Sequence, residues 1–232
     1  MTKKVSIILS TYNESTSIRF TIDELIRHIE DVEIIVVDDN SPDGTYKILE
    51  EIKYPKLKIF NRKKDKGLAS AFLLGLINSS GDIVGWLDSN MGILAQKFPQ
   101  MISNLDNADI VLLSRYLEGG KDSRSAIRVI ASQMINSFAR FLLRSKIKDL
   151  SSGIFVMKRE VLLDVVPVAT GHGEFFVEFL HKAELKKNKI LEIPYLHPVD
   201  IEGNSKSFPN LYKFLLFGFF YVLRLFQSLF RR

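Results

Sequence analysis

The residues Ile34-Ile-Val-Val37 form an unbroken apolar run that ends on two adjacent carboxylates, Asp38 and Asp39, before the chain enters Asn40-Ser-Pro-Asp-Gly-Thr45. The segment Glu33–Val37 is mostly β-branched and lacks polar alternation. It therefore predicts a strand buried on both faces, the kind that forms parallel sheets covered by helices. Ligands of open α/β sheets bind beyond the carboxyl ends of the strands. Asp38 and Asp39, delivered to that edge by a rigid strand, are placed to accept hydrogen bonds from a nucleotide base or ribose. Ser41-Pro-Asp-Gly44 is turn chemistry, and Asp43 is suited to cap a helix over Thr45–Lys53. On this segment alone, a capping or exposed role for Asp39 fits as well.

Further strand-like runs lie at Val5–Leu9, Leu57–Phe60, Asp82–Leu87 and Asp109–Leu113, separated by helical spacing. Between Glu14 and Glu30, Ile18, Ile22, Leu25, Ile26 and Ile29 form one helical stripe. The segment from Gly67 repeats the pattern and stops near Ser79-Ser-Gly81. The first 115 or so residues thus read as a doubly wound α/β sheet. Beyond them come a polar stretch at Glu118–Arg124, a helix over Arg124–Arg144, a short strand at Ile154–Met157, a helix over Glu174–Lys186, and a strand at Lys189–Ile193. The expected organisation is one domain over 1–207 and a distinct tail over 208–232.

The tail is where charge and apolar character concentrate. The whole chain of 232 residues carries a net +5, and Leu211 to Arg232 contributes four basic residues and no acid. The remainder is close to neutral, which argues against a nucleic-acid partner and for an anionic membrane surface met by the C-terminus. Seven of the 17 phenylalanines fall from Phe208 onward, yet Phe214–Leu223, the longest uncharged run there, has ten residues. A spanning helix needs roughly 20. Lys213, Arg224, Gln227, Ser228 and Arg231 share a stripe, so an interfacial amphipathic helix is expected. A packed terminal helix, a dimer contact and a tilted span remain open. With no cysteine and no signal-peptide core at the N-terminus, the expectation is a peripheral or monotopic protein at the cytoplasmic face of a membrane.

Other strand ends add chemistry. Leu9-Ser-Thr-Tyr-Asn-Glu14 offers Tyr12 as a stacking face and Glu14 as an acceptor. Gly85-Trp-Leu-Asp-Ser-Asn90 offers Asp88, which can help hold a divalent cation against a diphosphate. Leu113-Ser-Arg115 offers a guanidinium suited to phosphate. Lys66-Gly67 is equally compatible with a phosphate contact and with a plain helix start. Each is weak alone, and their strength lies in sharing one sheet edge. Glu174 and Glu178 lie on one helical face, either solvated or able to deprotonate a sugar hydroxyl. His28, His172, His181 and His197 lack ligand spacing.

Taken with Asp38-Asp-Asn-Ser-Pro-Asp-Gly-Thr45, Thr11-Tyr-Asn-Glu14, Lys66-Gly-Leu68, Ser114-Arg-Tyr116, Asp149-Leu-Ser-Ser-Gly-Ile-Phe155, Ile193-Pro-Tyr195 and Gly203-Asn-Ser-Lys206, the chain resembles the family-2 inverting glycosyltransferases. Within them it is most similar to the polyprenyl-phosphate sugar synthases of the dolichol-phosphate mannose synthase type. The resemblance implies a GT-A nucleotide-sugar-binding fold, with a Rossmann-like, mostly parallel sheet flanked by helices. It also implies transfer of mannose or glucose from a nucleotide sugar, such as GDP-mannose or a UDP-sugar, to a polyprenyl phosphate. Tyr12, Glu14, Val37 and Asp39 would contact the base and ribose. Ser10, standing where the family commonly has proline, belongs to the same donor-binding set. Asp88, Ser89 and Asn90 occupy the family's Asp-x-Asp position. Arg115, Arg128, Ser132 and Lys206 fall where donor or acceptor phosphates bind, Arg128 and Ser132 at the acceptor phosphate; Asp88, Arg115 and Arg128 are the implied catalytic residues.

Three departures matter. Asn90 replaces an aspartate and Gly92 a glutamine that help hold Mg2+ or Mn2+. As a metal ligand Asn90 supplies a carbonyl oxygen without charge, so weakened divalent-ion binding is expected. Asp200 is acidic near a position that is often arginine. Two other readings are a hydroxyl-acceptor glycosyltransferase using Glu174 or Glu178 as base, and a nucleotide-sugar-binding protein that has lost turnover. A dinucleotide-dependent dehydrogenase is disfavoured because no Gly-x-Gly-x-x-Gly follows the first strand.

Overall fold

The computed structural model describes residues 3–198 and 211–230. Strand β1 (Val5–Thr11), helix α1 (Ile18–His28), β2 (Glu33–Asp38), α2 (Thr45–Glu51), β3 (Leu57–Asn61), α3 (Leu68–Asn78) and β4 (Ile83–Trp86) alternate as the periodicity requires. A 3-10 turn (Gly92–Lys97), α4 (Phe98–Asn104), β5 (Ile110–Ser114), β6 (Lys121–Asp122), α5 (Ala126–Leu143), β7 (Phe155–Lys158) and α6 (Val161–Asp164) follow. Helix α7 (Glu174–Leu185), β8 (Ile190–Pro194), β9 (Leu196–His197) and α8 (Leu211–Phe230) complete the order.

Seven strands form one sheet in the order β3-β2-β1-β4-β7-β5-β8. Only β7 runs against its neighbours β4 and β5. The other six strands therefore present their carboxyl ends on a common edge. β2 is buried on both sides, and its alternation divides the core. Ile34 and Val36 join the layer packed by α1, α2 and α4, while Ile35 and Val37 join the layer packed by α3, α5 and α7. In the second layer, Phe72, Trp86, Phe155, Phe175, Phe176 and Phe179 meet with ring centroids 4.7–6.4 Å apart. Such aromatic contacts add to the area they bury.

Two local outcomes differ from the sequence expectation. The first helix starts at Ile18 rather than Glu14, because Glu14 C=O accepts the N–H groups of both Ser17 and Ile18 in a preceding turn. The polar stretch Glu118–Arg124, for which no regular element was expected, contains β6, which pairs in parallel with β9.

The C-terminal helix is present, but its polar stripe does not face outward. Arg224 and Ser228 are buried, Gln227 is exposed, and Phe219, Phe220, Leu223 and Phe226 are 40–57% exposed. The physical reason is Glu178 on α7, whose buried carboxylate takes an ion pair from Arg224, Nη1 to Oε2 3.1 Å. The other members of the expected stripe, Lys213 and Arg231, lie outside the described side chains. No helix among the described residues is long and apolar enough to cross a membrane.

Candidate functional site

At the end of β2, Asp38 turns inward and Asp39 outward. Buried Asp38 accepts from Thr11 Oγ1 (2.8 Å), Ser41 N–H (2.9 Å) and Ser41 Oγ (2.5 Å). It is the anchor that shapes the loop after β2. Asp43 fastens that loop to the one after β1. It accepts from Thr45 N–H (3.0 Å), Thr45 Oγ1 (2.6 Å) and Ser15 N–H (3.0 Å), while Glu14 N–H donates to Thr45 Oγ1 at 2.9 Å. Burial works against the Asp43 charge, but those donors prevail and hold its pKa down to about 2. The cap position of α2 is Gly44, not Asp43 as expected; Asp43, one residue earlier, binds the first helical amide from outside and straps two loops together.

Asp39 meets a partner that sequence reasoning passes over. Arg62, one residue past β3, donates from Nε to Asp39 Oδ1 at 2.8 Å, and its Nη2 pairs with the same oxygen. The second oxygen, Oδ2, accepts Gly67 N–H at 2.8 Å. Gly67 has φ +138°, a conformation that L side chains rarely adopt, and this lets the amide point back at the carboxylate. Arg62 also donates to the carbonyls of Asp65 and Gly67 and to Ser70 Oγ, so it knits the start of α3 to Asp39. The signal was the parallel register Asp38↔Asn61, which brings the end of β3 beside the end of β2.

Around this pair the edge gathers the other expected donor residues. Tyr12 is exposed, and Lys66 Nζ stands 5.4 Å from its ring centroid. Glu14 is buried and accepts Ser17 Oγ at 2.8 Å. Ser10 is half-buried at the end of β1. Val37 has a fully buried side chain in the second core layer, so only its main chain can meet a ligand.

Beyond β4, Asp88 is half-buried within reach of Trp86 Nε1, at 3.4 Å. Desolvation pushes its pKa up, the Trp86 bond opposes this, and the charge of Glu14 raises it further. Asn90 is exposed, whereas Ser89 is buried with its carbonyl accepting Thr21 Oγ1 at 2.7 Å. Gly92, read as a lost metal ligand, has a packing role. A Cβ there would lie 2.7 Å from Thr21 Cα, so a glycine lets the 3-10 turn close on α1.

Arg115 sits at the end of β5, but its guanidinium is committed to the protein. Nε donates to Asp149 Oδ2 at 2.8 Å and Nη2 to Asp149 Oδ1 at 2.7 Å. Ser151 Oγ (2.9 Å) and Asp122 Oδ2 (3.5 Å) take further donors. The contacts seen are those of a positioning hub, in contrast to the phosphate clamp expected. Ser151 Oγ also accepts Asn136 Nδ2 at 2.8 Å, which ties the hub to α5. On that helix Arg128 and Ser132 are half-buried one turn apart, and Ser132 approaches Tyr116. Among the described residues Asn136 Oδ1 is buried without a hydrogen-bond partner, which is the character of a group that a ligand or water satisfies.

Glu174 and Glu178 are not a solvated face. Both are buried; Glu174 Oε2 accepts His172 N–H at 3.0 Å, and Glu178 pairs with Lys182 at 2.9 Å as well as with Arg224. Arg224 Nη2 donates in addition to Thr170 C=O at 2.7 Å, and the next carbonyl, Gly171, accepts Ala69 N–H at 3.4 Å. Lys206 lies outside the described residues.

Among the described residues, no group of three or more His, Cys, Asp or Glu side chains converges as a metal cage. The donor set around Asp88 still suits a cation brought with a diphosphate. Mg2+ is typically held by one or two carboxylates plus substrate phosphates, and Asp88 with the exposed Asn90 beyond β4 could supply a carboxylate and an amide oxygen to such a set.

The model of the family described as "Glycosyl transferase family 2" matches residues 6–166. A dolichol-phosphate mannosyltransferase of Pyrococcus furiosus is 35% identical over 216 residues, covering 88% of this chain. The chain spans 59% of the length of that relative. A polyprenol monophosphomannose synthase of Mycolicibacterium smegmatis is 26% identical, over 83% of this chain and 77% of its own. Among solved structures, glucosyl-3-phosphoglycerate synthase of Mycobacterium tuberculosis, in complex with Mn2+, UDP and glucosyl-3-phosphoglycerate, superposes with a TM-score of 0.73 at 19% identity. That match covers 97% of this chain and 80% of the other, and shows a shared fold.

Proposed function

The chain belongs to glycosyl transferase family 2, and from that premise we propose that it transfers mannose or glucose from a nucleoside-diphosphate sugar to a polyprenyl phosphate of dolichyl type. The observation that carries the choice of acceptor is the fate of Glu174 and Glu178. A hydroxyl acceptor calls for a base, and these two helix carboxylates are spent on His172, Lys182 and Arg224. A phosphate acceptor is already ionised at neutral pH and needs none. The names of the Pyrococcus and Mycolicibacterium relatives support the same choice.

In this reading Tyr12, Glu14, Asp39 and the Val37 main chain receive the nucleoside, with Arg62 holding Asp39 in place. Arg128 and Ser132 on α5 receive the acceptor phosphate, and Lys206 adds charge at a phosphate. An acceptor oxygen attacks the anomeric carbon, the bond from that carbon to the diphosphate oxygen breaks, and the configuration inverts as the nucleoside diphosphate departs. A divalent cation, Mg2+ or Mn2+, held by Asp88 and the Asn90 amide oxygen would neutralise charge growing on the leaving diphosphate. The Mn2+ and UDP bound by the solved neighbour support that assignment. Arg115 acts through Asp149 and Ser151, by fixing the end of β5 beneath α5.

Residues 1–207 form the catalytic unit in this proposal, and 208–232 associate with the cytoplasmic face of a membrane. The test is incubation of the purified chain with labelled nucleotide sugars, Mg2+ or Mn2+, and a polyprenyl phosphate. Label is expected in the lipid-phosphate fraction. Label found only in soluble glycan or on protein overturns the acceptor.

A further inference from the structure

The donor edge carries an electrostatic problem. Glu14, Asp38, Asp39, Asp43 and Asp88 stand at or just beyond the ends of β1, β2 and β4, and Arg62, bonded into this set, is already matched by Asp39. An approaching diphosphate is repelled by such carboxylates before any contact forms. The chain answers at the end of β3. Residues 62–66 hold four basic side chains and one acidic one, and Lys63, Lys64 and Lys66 are exposed.

The basic loop has a built framework. Arg62 Nη1 donates to Asp65 C=O at 3.0 Å and Nη2 to Gly67 C=O at 2.9 Å, so residues 62–67 close around the Arg62 guanidinium. Ser70 Oγ donates to Asp65 C=O at 3.1 Å, and Asp65 takes φ +55°, a conformation that aspartate tolerates better than most residues. Lys66 Nζ lies 5.4 Å from the centroid of the Tyr12 ring, which places the loop at the mouth of the donor edge. Lys63 and Lys64 follow Arg62 directly. By backbone length they are within about 4 and 7 Å of it, inside the Debye length of about 8 Å at physiological salt. Among the described residues no ion pair occupies either of them.

We propose that Lys63 and Lys64 form an electrostatic landing surface for the anionic donor, an assignment that rests on the nucleotide-sugar reading above. They set how fast a nucleoside diphosphate reaches the Asp39 edge, and the edge itself sets how long it stays. Hydrated ammonium groups on a rim contribute little to a finished complex. Acting together at a distance, charges at such a mouth raise the encounter rate by about tenfold to a thousandfold, and the effect fades with salt. The patch is short and bordered by carboxylates, so it fits a small anion and not a polyanion, which needs a longer basic track.

The experiment is stopped-flow fluorescence with the full chain, Mg2+, and N-methylanthraniloyl GDP or UDP. Lys63→Glu together with Lys64→Glu is expected to lower the association rate constant about fivefold or more at about 0.1 M salt, and to leave the dissociation rate constant within about twofold. At about 1 M salt, where the Debye length is about 3 Å, the variant and the unsubstituted chain should associate alike. Lys63→Gln together with Lys64→Gln should fall between them. A remote pair, Lys146→Glu with Lys148→Glu, makes the same change of charge beyond α5, where Lys148 N–H donates to Glu192 on β8. At about 4.8 Å per strand β8 lies about 29 Å from β3, so this pair should leave association unchanged. In turnover, kcat/KM for the donor should fall in the Lys63/Lys64 variant while the KM for a short-chain, water-soluble polyprenyl phosphate holds. An equal loss from the remote pair, a loss carried by faster dissociation, a loss that survives high salt, or a loss confined to the acceptor overturns the proposal. Failure of both nucleotides to bind the unsubstituted chain overturns the donor reading and the steering with it. Normal binding at an association rate that the two lysines do not alter overturns the steering alone.

Discussion

Two arginine–aspartate pairs stand at the same sheet edge and differ in what surrounds them. Arg115 and Asp149 have side chains 4% and 0% exposed, and the pair is closed by Ser151 and Asp122. Arg62 and Asp39, at 10% and 14%, lie where β2 and β3 open toward solvent, with the ring of Tyr12 nearby and exposed. The same chemistry thus serves two ends. A fully enclosed pair cannot exchange partners without stranding a charge in low dielectric, whereas a pair at the rim can share its oxygens with an incoming group, in the proposed reading a ribose. The buried pair sets the frame, and the rim pair is poised for a ligand.

The sharpest way to break this contrast is Asp149→Asn. It takes the two-pronged charge partner from the buried Arg115 guanidinium and leaves only Asp122, at 3.5 Å and shared with Arg124, so a loss of about 3 kcal/mol is expected in denaturant unfolding. The double change Arg115→Met with Asp149→Leu should recover much of that loss, since an apolar pair has no charge to strand. Asp39→Ala should leave stability far less affected. If it unfolds the protein as readily as Asp149→Asn does, the two pairs are alike and the contrast fails.

Next in size is Asp88→Ala, expected to slow sugar transfer by about 100-fold in single-turnover assays, as removal of a group that stabilises leaving-group charge does. The melting temperature without ligands should hold or rise, because desolvation and Glu14 already disfavour the Asp88 charge. Asp39→Ala is expected to weaken nucleotide-sugar binding about tenfold by calorimetry, the scale of a lost charge-assisted hydrogen bond. Unchanged affinity would place the nucleoside elsewhere.

The smallest effects concern pH, and their signs differ between regions. Asp122 is held at about 2 because Arg124 and Arg115 outweigh its burial, and Asp43 is held at about 2 by Thr45 and Ser15. A carboxylate with a depressed folded pKa contributes stability that is whole above its ordinary value of 3.8 and drains away as pH falls toward about 2. Asp122→Asn should therefore flatten acid unfolding in that window. Asp88 shifts the other way, so cation-assisted donor binding should begin to fall at a higher pH than an ordinary aspartate would give. An identical pH profile for the Asp88→Asn variant would show that the group does not control it.

Much of the parallel sheet was legible because Ile34–Val37 and its counterparts carry their signal locally. So was the hold of Asp43 on the start of α2, which acts within the same turn. Arg62 was not, since its meaning depends on a strand pairing between residues 23 apart in sequence from Asp39. Asp149 stood inside a quoted motif, but only the fold brings it under β5 to claim Arg115. Gly92 looked like a lost ligand because the backbone of Thr21, which excludes any side chain there, is invisible to periodicity. The tail shows the limit most plainly. Helical spacing put Arg224 and Ser228 on one stripe, yet spacing cannot say which stripe meets the protein, and the buried Glu178 reversed the answer.

That reversal bears on how the molecule can be divided. A chain cut after residue 207 would lose Arg224 and leave Glu178 with Lys182 as its single remaining cation among the described salt bridges. It would also release Thr170, whose neighbour Gly171 holds the first turn of α3 beside Gly67 and Asp39. The last helix is therefore less an attachment to a finished enzyme than the keystone of its far wall. A shortened version made for convenience would be a different protein at the Asp39 edge as well.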